Sequence, residues 1–373
     1  MQALAITSKG MEDIAALEIK ELIKAESSVK ESCVMFEPKK LEDLCTLCYK
    51  AQSVSRILVL FHHFKFKDKA DLLKKINLEK IDYNKWLDKK NTFKIECERL
   101  GKHNFSSQEI EQEIGELISV KNKVELKNPD ITFYAYIFDK ELYFGIDFSG
   151  FELSKRHYKI FNHPNDIKGH IAYVLVRLSG FKVGDVLLDP FCKTGVIAIE
   201  AALFASGFPV NYFSKDKFGF LKLKPIKKFN FDTVDKKTKK IKKHIFGYEK
   251  SSFYTQSAKK NAKIAGVNDM AEFSSNDVEW VDTHFKEKEV NRIVTYPPIL
   301  SKKSNKNEIL KLYQELFYQA NYCLAKDGRI VVLTKDIELF KEKAKGYKFK
   351  VVEERKVWIG EMVMDIVVFG KGL

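Results

Sequence analysis

Four short stretches of this chain carry residue types that could do chemistry together. Asp189-Pro-Phe-Cys-Lys-Thr-Gly195 follows an apolar run and opens a helix, Glu249 ends HIFGYE, Asp277 ends AEFSSND, and Tyr296-Pro297-Pro298 follows NRIVT. Each stands where a strand gives way to a loop, and open α/β sheets bind ligands outside the carboxyl ends of their strands. Gly195 allows a close turn, and the helix beyond it offers N–H groups without intrahelical partners. A carboxylate ending the second strand commonly grips the hydroxyls of a ribose. Asp277, ending the third, is placed to bond an adenine amine or to order its loop. Pro297-Pro298 removes two backbone donors and makes a rigid edge. No stretch resembles a P-loop or a G-x-G-x-x-G pyrophosphate cradle, so the hollow is expected to take a nucleoside without phosphates, an adenosyl compound. One strand–glycine–helix turn would be weak evidence; four such stations in order, at the spacing of successive strand–helix units, point to one site.

The elements that must position them are legible in the periodicity. From about residue 154 strands and helices alternate, with VGDVLLDP, HIFGYE, AEFSSND, NRIVT and GRIVVLT as strands. Two long strands around Gly360 close the chain. Parallel strands linked by helices and closed by a hairpin describe a doubly wound sheet. The first 60 residues read as a β-α-β-α-β, ferredoxin-like layer. A second unit, centred on the strand and helix flanking GKHNFSS, follows to about 153, with Ser106 or Ser107 capping the helix. The expected domains are therefore 1–60, 61–153 and 154–373, the last with a basic insertion over about 208–245. Within that insertion Ser214 to Lys243 holds twelve lysines against three aspartates. Its patches FGFLKLKPIKKF and VDKKTKKIKKH read either as a solvated loop or as a surface that clamps a phosphate backbone.

Composition bounds the class. The chain has 373 residues, 45% of them apolar, a net charge of +14 and a pI near 9.2. That suits a folded protein with a polyanionic partner, since neutralising phosphates releases counterions. No apolar run reaches the roughly eighteen residues of a membrane span, and the amino terminus enters an amphipathic pattern at once, so a cytoplasmic location and no membrane partner are expected. Cys45-Thr-Leu-Cys48 lacks the second Cys or His pair of a zinc site and reads as reduced core.

The stretch 189–300 resembles the class I S-adenosylmethionine-dependent methyltransferases acting on exocyclic amines, whose motifs read DPFCG(S/T)G and NPPY. The segments FKIECERLGKHNFSS, LKNPD and GIDFSGFELSKRHYK resemble a THUMP domain and its junction. Nearly the whole chain is similar to the archaeal THUMP-containing tRNA guanine-N2 methyltransferases. The resemblance implies a Rossmann-like methyltransferase sheet behind the ferredoxin-like and THUMP α+β module. The implied reaction is methyl transfer to the N2 amine of a tRNA guanosine, with S-adenosylhomocysteine as product and without a metal or a covalent nucleophile. It implies that Asp189, Phe191, Cys192, Lys193, Thr194 and Gly195 line the methionine end of the cofactor, that Glu249 holds the ribose and Asp277 the adenine. Tyr296, Pro297 and Pro298 form the catalytic loop beside a flipped-out guanine. Arg99, Lys102, His103, Lys155, Arg156 and Tyr158 are placed on the RNA-binding side. For Arg99 and His103 a hydrogen-bonded strand–loop–helix corner is the other reading.

Three positions depart from those motifs. Tyr296 replaces the Asn or Asp whose side-chain oxygen accepts a hydrogen bond from the target amine and helps localise its lone pair. Ile299 replaces the aromatic that stacks on the base. Lys193 replaces a glycine, and an ammonium about 5 Å from a sulfonium costs about 3 kcal/mol at an effective dielectric near 20, a hundredfold in affinity. An outward lysine, or one paired with the cofactor's carboxylate, would remove that cost. These departures leave a second reading beside the enzyme: a tRNA-binding protein of the same fold, a chaperone or the partner of an active paralogue.

Overall fold

The computed structural model describes residues 1–371 except 77–84, 87, 89, 120–121, 227 and 301–304. The chain divides into two compact units, one of residues 1–7, 15–153 and 211–234, the other of residues 8–14, 154–210 and 235–373.

The first unit is built on one eight-stranded sheet. In chain order its elements are β1 (Ala3–Ile6), α1 (Glu12–Ile23), β2 (Ser27–Lys30), β3 (Cys33–Phe36), α2 (Leu41–Lys50), β4 (Arg56–Lys65), α3 (Lys69–Lys75), β5 (Thr92–Leu100), α4 (Ser107–Ser119), β6 (Lys123–Val124), β7 (Ile131–Phe138) and β8 (Glu141–Asp147). The strand order is β2-β3-β1-β4-β8-β7-β5-β6. Only β5 runs parallel to its neighbours, β7 and β6; the other pairs are antiparallel. The expected boundary near residue 60 falls inside β4, which pairs with β1 on one side and β8 on the other. Both amino-terminal segments thus share one sheet, because β4 is long enough to serve each. Ser106 caps α4, its hydroxyl accepting from the Glu109 N–H at 3.1 Å. Cys45 and Cys48 lie buried on α2, and burial pushes both thiols up. All six cysteines are free, and no group of three or more His, Cys, Asp or Glu is placed to hold a metal among the described residues.

The second unit starts with α5 (Gly169–Leu178), β9 (Leu187–Asp189) and α6 (Val196–Ser206). A short helix, α7 (Phe231–Asp235), precedes β10 (Ile245–Glu249), α8 (Ser252–Ala265), β11 (Ala271–Ser275), β12 (Val290–Thr295), α9 (Lys306–Cys323), β13 (Leu324–Thr334), α10 (Ile337–Lys345), β14 (Phe349–Ile359) and β15 (Met362–Lys371). The sheet order is β11-β10-β9-β12-β13-β15-β14. Its first five strands are parallel and β15 is antiparallel to β13 and β14. One apolar cluster fills the side of α5, α6 and α8, another the side of α9 and α10. This is the doubly wound sheet with its closing hairpin. No helix among the described residues is long and apolar enough to cross a membrane.

The basic insertion does not form one surface. Phe218, Phe220, Leu223, Ile226, Phe229 and Val234 are buried in the core of the first unit. The Phe218 and Phe220 rings stack at 4.9 Å, and Phe229 meets Phe231 edge-on at 4.9 Å. The aromatic side chains of the expected clamp therefore point inward, as apolar rings must when a core is within reach. Lys222, Lys224 and Lys228 remain exposed, while Lys227 lies outside the described residues.

Arg156 and Tyr158 also move from the expected RNA-facing side to the interior. The Arg156 guanidinium donates to both oxygens of Glu200 on α6, at 2.8 and 3.1 Å, and the Tyr158 hydroxyl donates to the same carboxylate at 2.6 Å. Both side chains of the ion pair are fully buried. A built Cβ on Gly169 would come within 2.6 Å of both Arg156 and Glu200, so α5 starts against the pair with no room to spare. This cluster anchors the segment entering the sheet, and it is structural. Glu200→Ala leaves a buried guanidinium without its carboxylate and should cost about 3–5 kcal/mol in urea unfolding. Lys155→Ala, on an exposed neighbour, should change the midpoint little.

Candidate active site

The ends of β9, β10, β11 and β12 converge, and the loop after β9 is held by backbone and carboxylate bonds. The Cys192 N–H donates to the Tyr248 carbonyl at 2.8 Å. Glu249 accepts from the Lys193 N–H at 3.1 Å and the Ser251 N–H at 2.9 Å. Asp189, fully buried, accepts from the Thr295 hydroxyl at 2.6 Å and the Phe191 N–H at 3.2 Å. Burial pushes the Asp189 carboxyl up to about 7, against the pull of these hydrogen bonds and of Lys193. Gly195 takes a φ of +85°, and a Cβ there would lie 2.7 Å from the Phe273 ring and 3.0 Å from Ala258. The close turn is what brings α6 to start directly behind the loop.

Beside this loop lies a hollow of about 300 Å³, lined by Phe191, Lys193, Glu249, Asn276, Asp277 and Pro298, with His163 and Asn165 at its side. That is the lower end of the range for small-molecule sites. Asp277 sits at the third strand's end as expected and pairs with Lys250 at 2.9 Å. Its neighbour Asn276 turns a buried side-chain amide nitrogen with no hydrogen-bond partner among the described residues. A buried donor left unmade costs free energy, so this one invites an acceptor from a ligand. Carboxylate oxygens and a side-chain amide around one hollow are the kinds of donor and acceptor that an adenosyl compound would need.

Not every expected residue faces the hollow. Asp189, Cys192 and Tyr296 lie around a second, much smaller space, with Lys193 bordering both. Thr194 is buried, and its hydroxyl donates to Asp166 at 2.5 Å. The Tyr296 ring is nearly buried and joins the apolar cluster on the α5–α6 side, where Ile299 also packs. Lys193 does not swing out to water. It is 7% exposed, takes a left-handed φ of +51°, and its ammonium donates to the Tyr296 carbonyl while lying 4.0 Å from the Tyr296 ring centre. The Pro298 carbonyl accepts from the Tyr313 hydroxyl at 2.7 Å. Of the three carbonyls in the turn, only that of Pro297 has no partner among the described residues.

Arg99, Lys102 and His103 come together at one corner of the first unit. Arg99 donates to the Ser107 hydroxyl at 3.1 Å and its guanidinium lies 5.5 Å from the Phe105 ring centre. His103 bonds the Asp139 carbonyl, and Lys102 is exposed. Lys155 is exposed on the second unit. Sequence reasoning missed His163, Asn165 and Asn276 as lining residues. Only the basic loop RHYKIFNHPND and the position of Asn276 one place before Asp277 could have signalled them.

Glu249→Gln would set an amide NH2 against one of the two backbone donors its carboxylate now accepts. Each hydrogen bond to a charged group contributes about 1.5–3 kcal/mol. The affinity for S-adenosylhomocysteine, measured by calorimetry, should fall about ten- to hundredfold, with a smaller loss in melting temperature than Glu200→Ala produces.

The model of the RMKL-like methyltransferase domain matches residues 156–365, and that of the THUMP domain matches residues 70–147. A tRNA (guanine(6)-N2)-methyltransferase of Methanocaldococcus jannaschii is 31% identical over 96% of this chain and 97% of its own length. One of the same name from Archaeoglobus fulgidus is 26% identical over 98% of this chain and 91% of its own. Among solved structures, TrmN from Thermus thermophilus covers 99% of both chains with a TM-score of 0.75 at 21% identity, a likeness of fold.

Proposed function

Since the chain belongs to the RMKL-like methyltransferase family and carries a THUMP domain, we propose that it transfers a methyl group from S-adenosylmethionine to the N2 amine of a guanosine in tRNA. The relatives' names point to the guanine at position 6. The observation that carries this reading is the adenosine-sized hollow at the strand ends, bordered by Glu249, Asp277 and Pro298 of the rigid turn.

Bound in the hollow, the cofactor supplies an electrophilic methyl group on a sulfonium. Glu249 would hold the ribose, Asn276 and Asp277 the adenine, and the loop Asp189–Gly195 the methionine end. In this reading the Pro297 carbonyl would accept a hydrogen bond from the target amine, which would localise the nitrogen lone pair for attack. Pro298 gives the base a flat apolar edge in place of water. The Tyr296 side chain, turned into the core, takes no part in this as drawn, so orientation falls to the backbone. A target base must leave its stack to reach such a pocket.

Arg99, Lys102, His103 and Lys155 are the proposed contacts to RNA near the two units' exposed faces. A further basic run, Lys236 to Lys243, offers six exposed lysines without an acidic partner among the described residues. It is tied down by the Lys239 N–H on the Ser206 carbonyl at 2.8 Å and leads into β10, so it lies at the amino-terminal edge of the strands, opposite the hollow. Contacts there would add affinity without touching the reacting base.

Incubation of the full chain with unmodified tRNA and methyl-labelled cofactor should place label on guanosine N2, and an adenosine at position 6 should abolish it. tRNA bound stoichiometrically with no label would support the second reading, a binding protein that has lost turnover. Replacing the six lysines of 236–243 by serine should flatten the plot of log affinity against log salt by about 0.7–0.9 per lysine that meets a phosphate. Binding of S-adenosylhomocysteine should stay unchanged.

A further inference from the structure

Lys193 is an unusual residue for its place. Few non-glycine residues take a left-handed φ, and few lysines are buried without paired charge. Yet Lys193 does both at the wall of the hollow, 103 residues away in sequence from the Tyr296 carbonyl that its ammonium meets. Its ammonium also lies over the face of the Tyr296 ring.

The charges around it come from every element packed against it. Asp189 belongs to the same loop, Glu249 to the end of β10, and Asp166 and His163 to the loop before α5. Cys192 adds a thiol held protonated by burial. The carboxylates are engaged: Asp189 with Thr295, Asp166 with Thr194, Glu249 with two backbone N–H groups. Lys193 thus faces all three carboxylates, and its ammonium offsets part of their field.

Resting on the methyltransferase reading above, we propose that Lys193, held by Tyr296, sets the charge preference of the cofactor pocket, so that the affinity for a sulfonium relative to a neutral thioether rises when the lysine loses its proton. S-Adenosylmethionine and S-adenosylhomocysteine differ at that atom by one methyl group and one positive charge. The remaining groups they present to the pocket are the same, so comparing the wild type with Lys193 variants at each pH cancels the ligands' own titration and isolates the lysine's charge. Two like charges about 5 Å apart at an effective dielectric near 20 change an affinity by about a hundredfold, which bounds the effect.

The direction with pH is fixed by two groups that act together. Burial pulls Lys193 down to about 8, while Asp189, Asp166 and Glu249 resist it. Burial also pushes Asp189 up to about 7. As pH rises from about 6.5 to about 9.5 Asp189 gains its negative charge and Lys193 sheds its positive one. Both steps make the pocket more negative and favour the sulfonium. Lys193→Met keeps the length and the burial of the stem while removing the charge, and Lys193→Arg keeps the charge at every pH.

Calorimetry of the full-length chain with each ligand, at about pH 6.5 and about pH 9.5, tests this. In the wild-type protein the sulfonium-to-thioether affinity ratio should rise about ten- to hundredfold between the two. In Lys193→Met it should already be high at the lower pH, with a smaller residual rise from Asp189. In Lys193→Arg it should stay well below the wild type at the higher pH, showing only the residual rise from Asp189. A wild-type ratio that does not move with pH overturns the proposal, as does a Lys193→Met ratio that tracks the wild type. Equal loss of both ligands in Lys193→Met also overturns it, since the lysine would then hold a part they share. If Lys193→Met does not fold, the wild-type and Lys193→Arg ratios decide. Binding of both ligands with a fixed ratio sinks this inference and leaves the methyltransferase reading standing; binding of neither sinks both.

Discussion

The site depends on two carboxylates, one buried and one half-buried, that tie three strand ends into one frame. Asp189 joins the end of β9 to Thr295 at the end of β12, and Glu249 at the end of β10 takes the backbone N–H of Lys193 from the loop between. Parallel strands have no hairpin to fix their ends, and each loop beyond them would otherwise pay its own ordering entropy. A carboxylate accepting several hydrogen bonds does this work in a small space, because each of its oxygens can serve two donors. The cost is burial of charge, and Asp189 carries it visibly, since its proton is held far more tightly than that of an ordinary aspartate. The same atoms therefore order the loop and set the electrostatics of whatever binds beside it.

Much of this was legible from the sequence, and the reason is periodic. Strand–helix alternation marks a parallel sheet, and α6 runs over Val196–Ser206 as its pattern indicates. The four stations at the strand ends follow from topology alone, because consecutive βα loops must emerge on one edge. What escaped was direction. RHYK looks basic and loop-like, yet Arg156 and Tyr158 turn inward because Glu200 waits on α6, 42 to 44 residues on. The rings of FGFLKLKPIKKF look like stacking platforms between lysines, yet they complete a core. In both cases a polar or amphipathic residue was read by its neighbours in sequence, while its fate was decided by a partner far along the chain. Asn276 escaped for a different reason: an unmade hydrogen bond has no sequence signature.

The expected boundary near residue 60 falls within one strand. Hydrophobic patterning finds strands, but it does not say which strands pair, and a ten-residue strand such as β4 can belong to two supersecondary units at once. The register of β4 against β8 shifts between Leu60 and His62. A bulge of this kind lets one long strand bend and keep partners on both edges.

Lys193 and Tyr296 looked in the sequence like two separate losses. In the structure they are one contact, and that changes what they mean. A tyrosine after β12 could not reach the position of a short amide, and its ring turns into the apolar cluster instead. The lysine then occupies the carbonyl of Tyr296, and Tyr313 occupies that of Pro298. Two of the three carbonyls are taken by this chain's own donors, and that of Pro297 has no partner among the described residues. A carbonyl fixed between two prolines moves little, which makes it a weaker acceptor than a carboxylate but a well-oriented one. Rigidity of the turn, and not the chemistry of the side chain before it, is what the remaining geometry has to rely on.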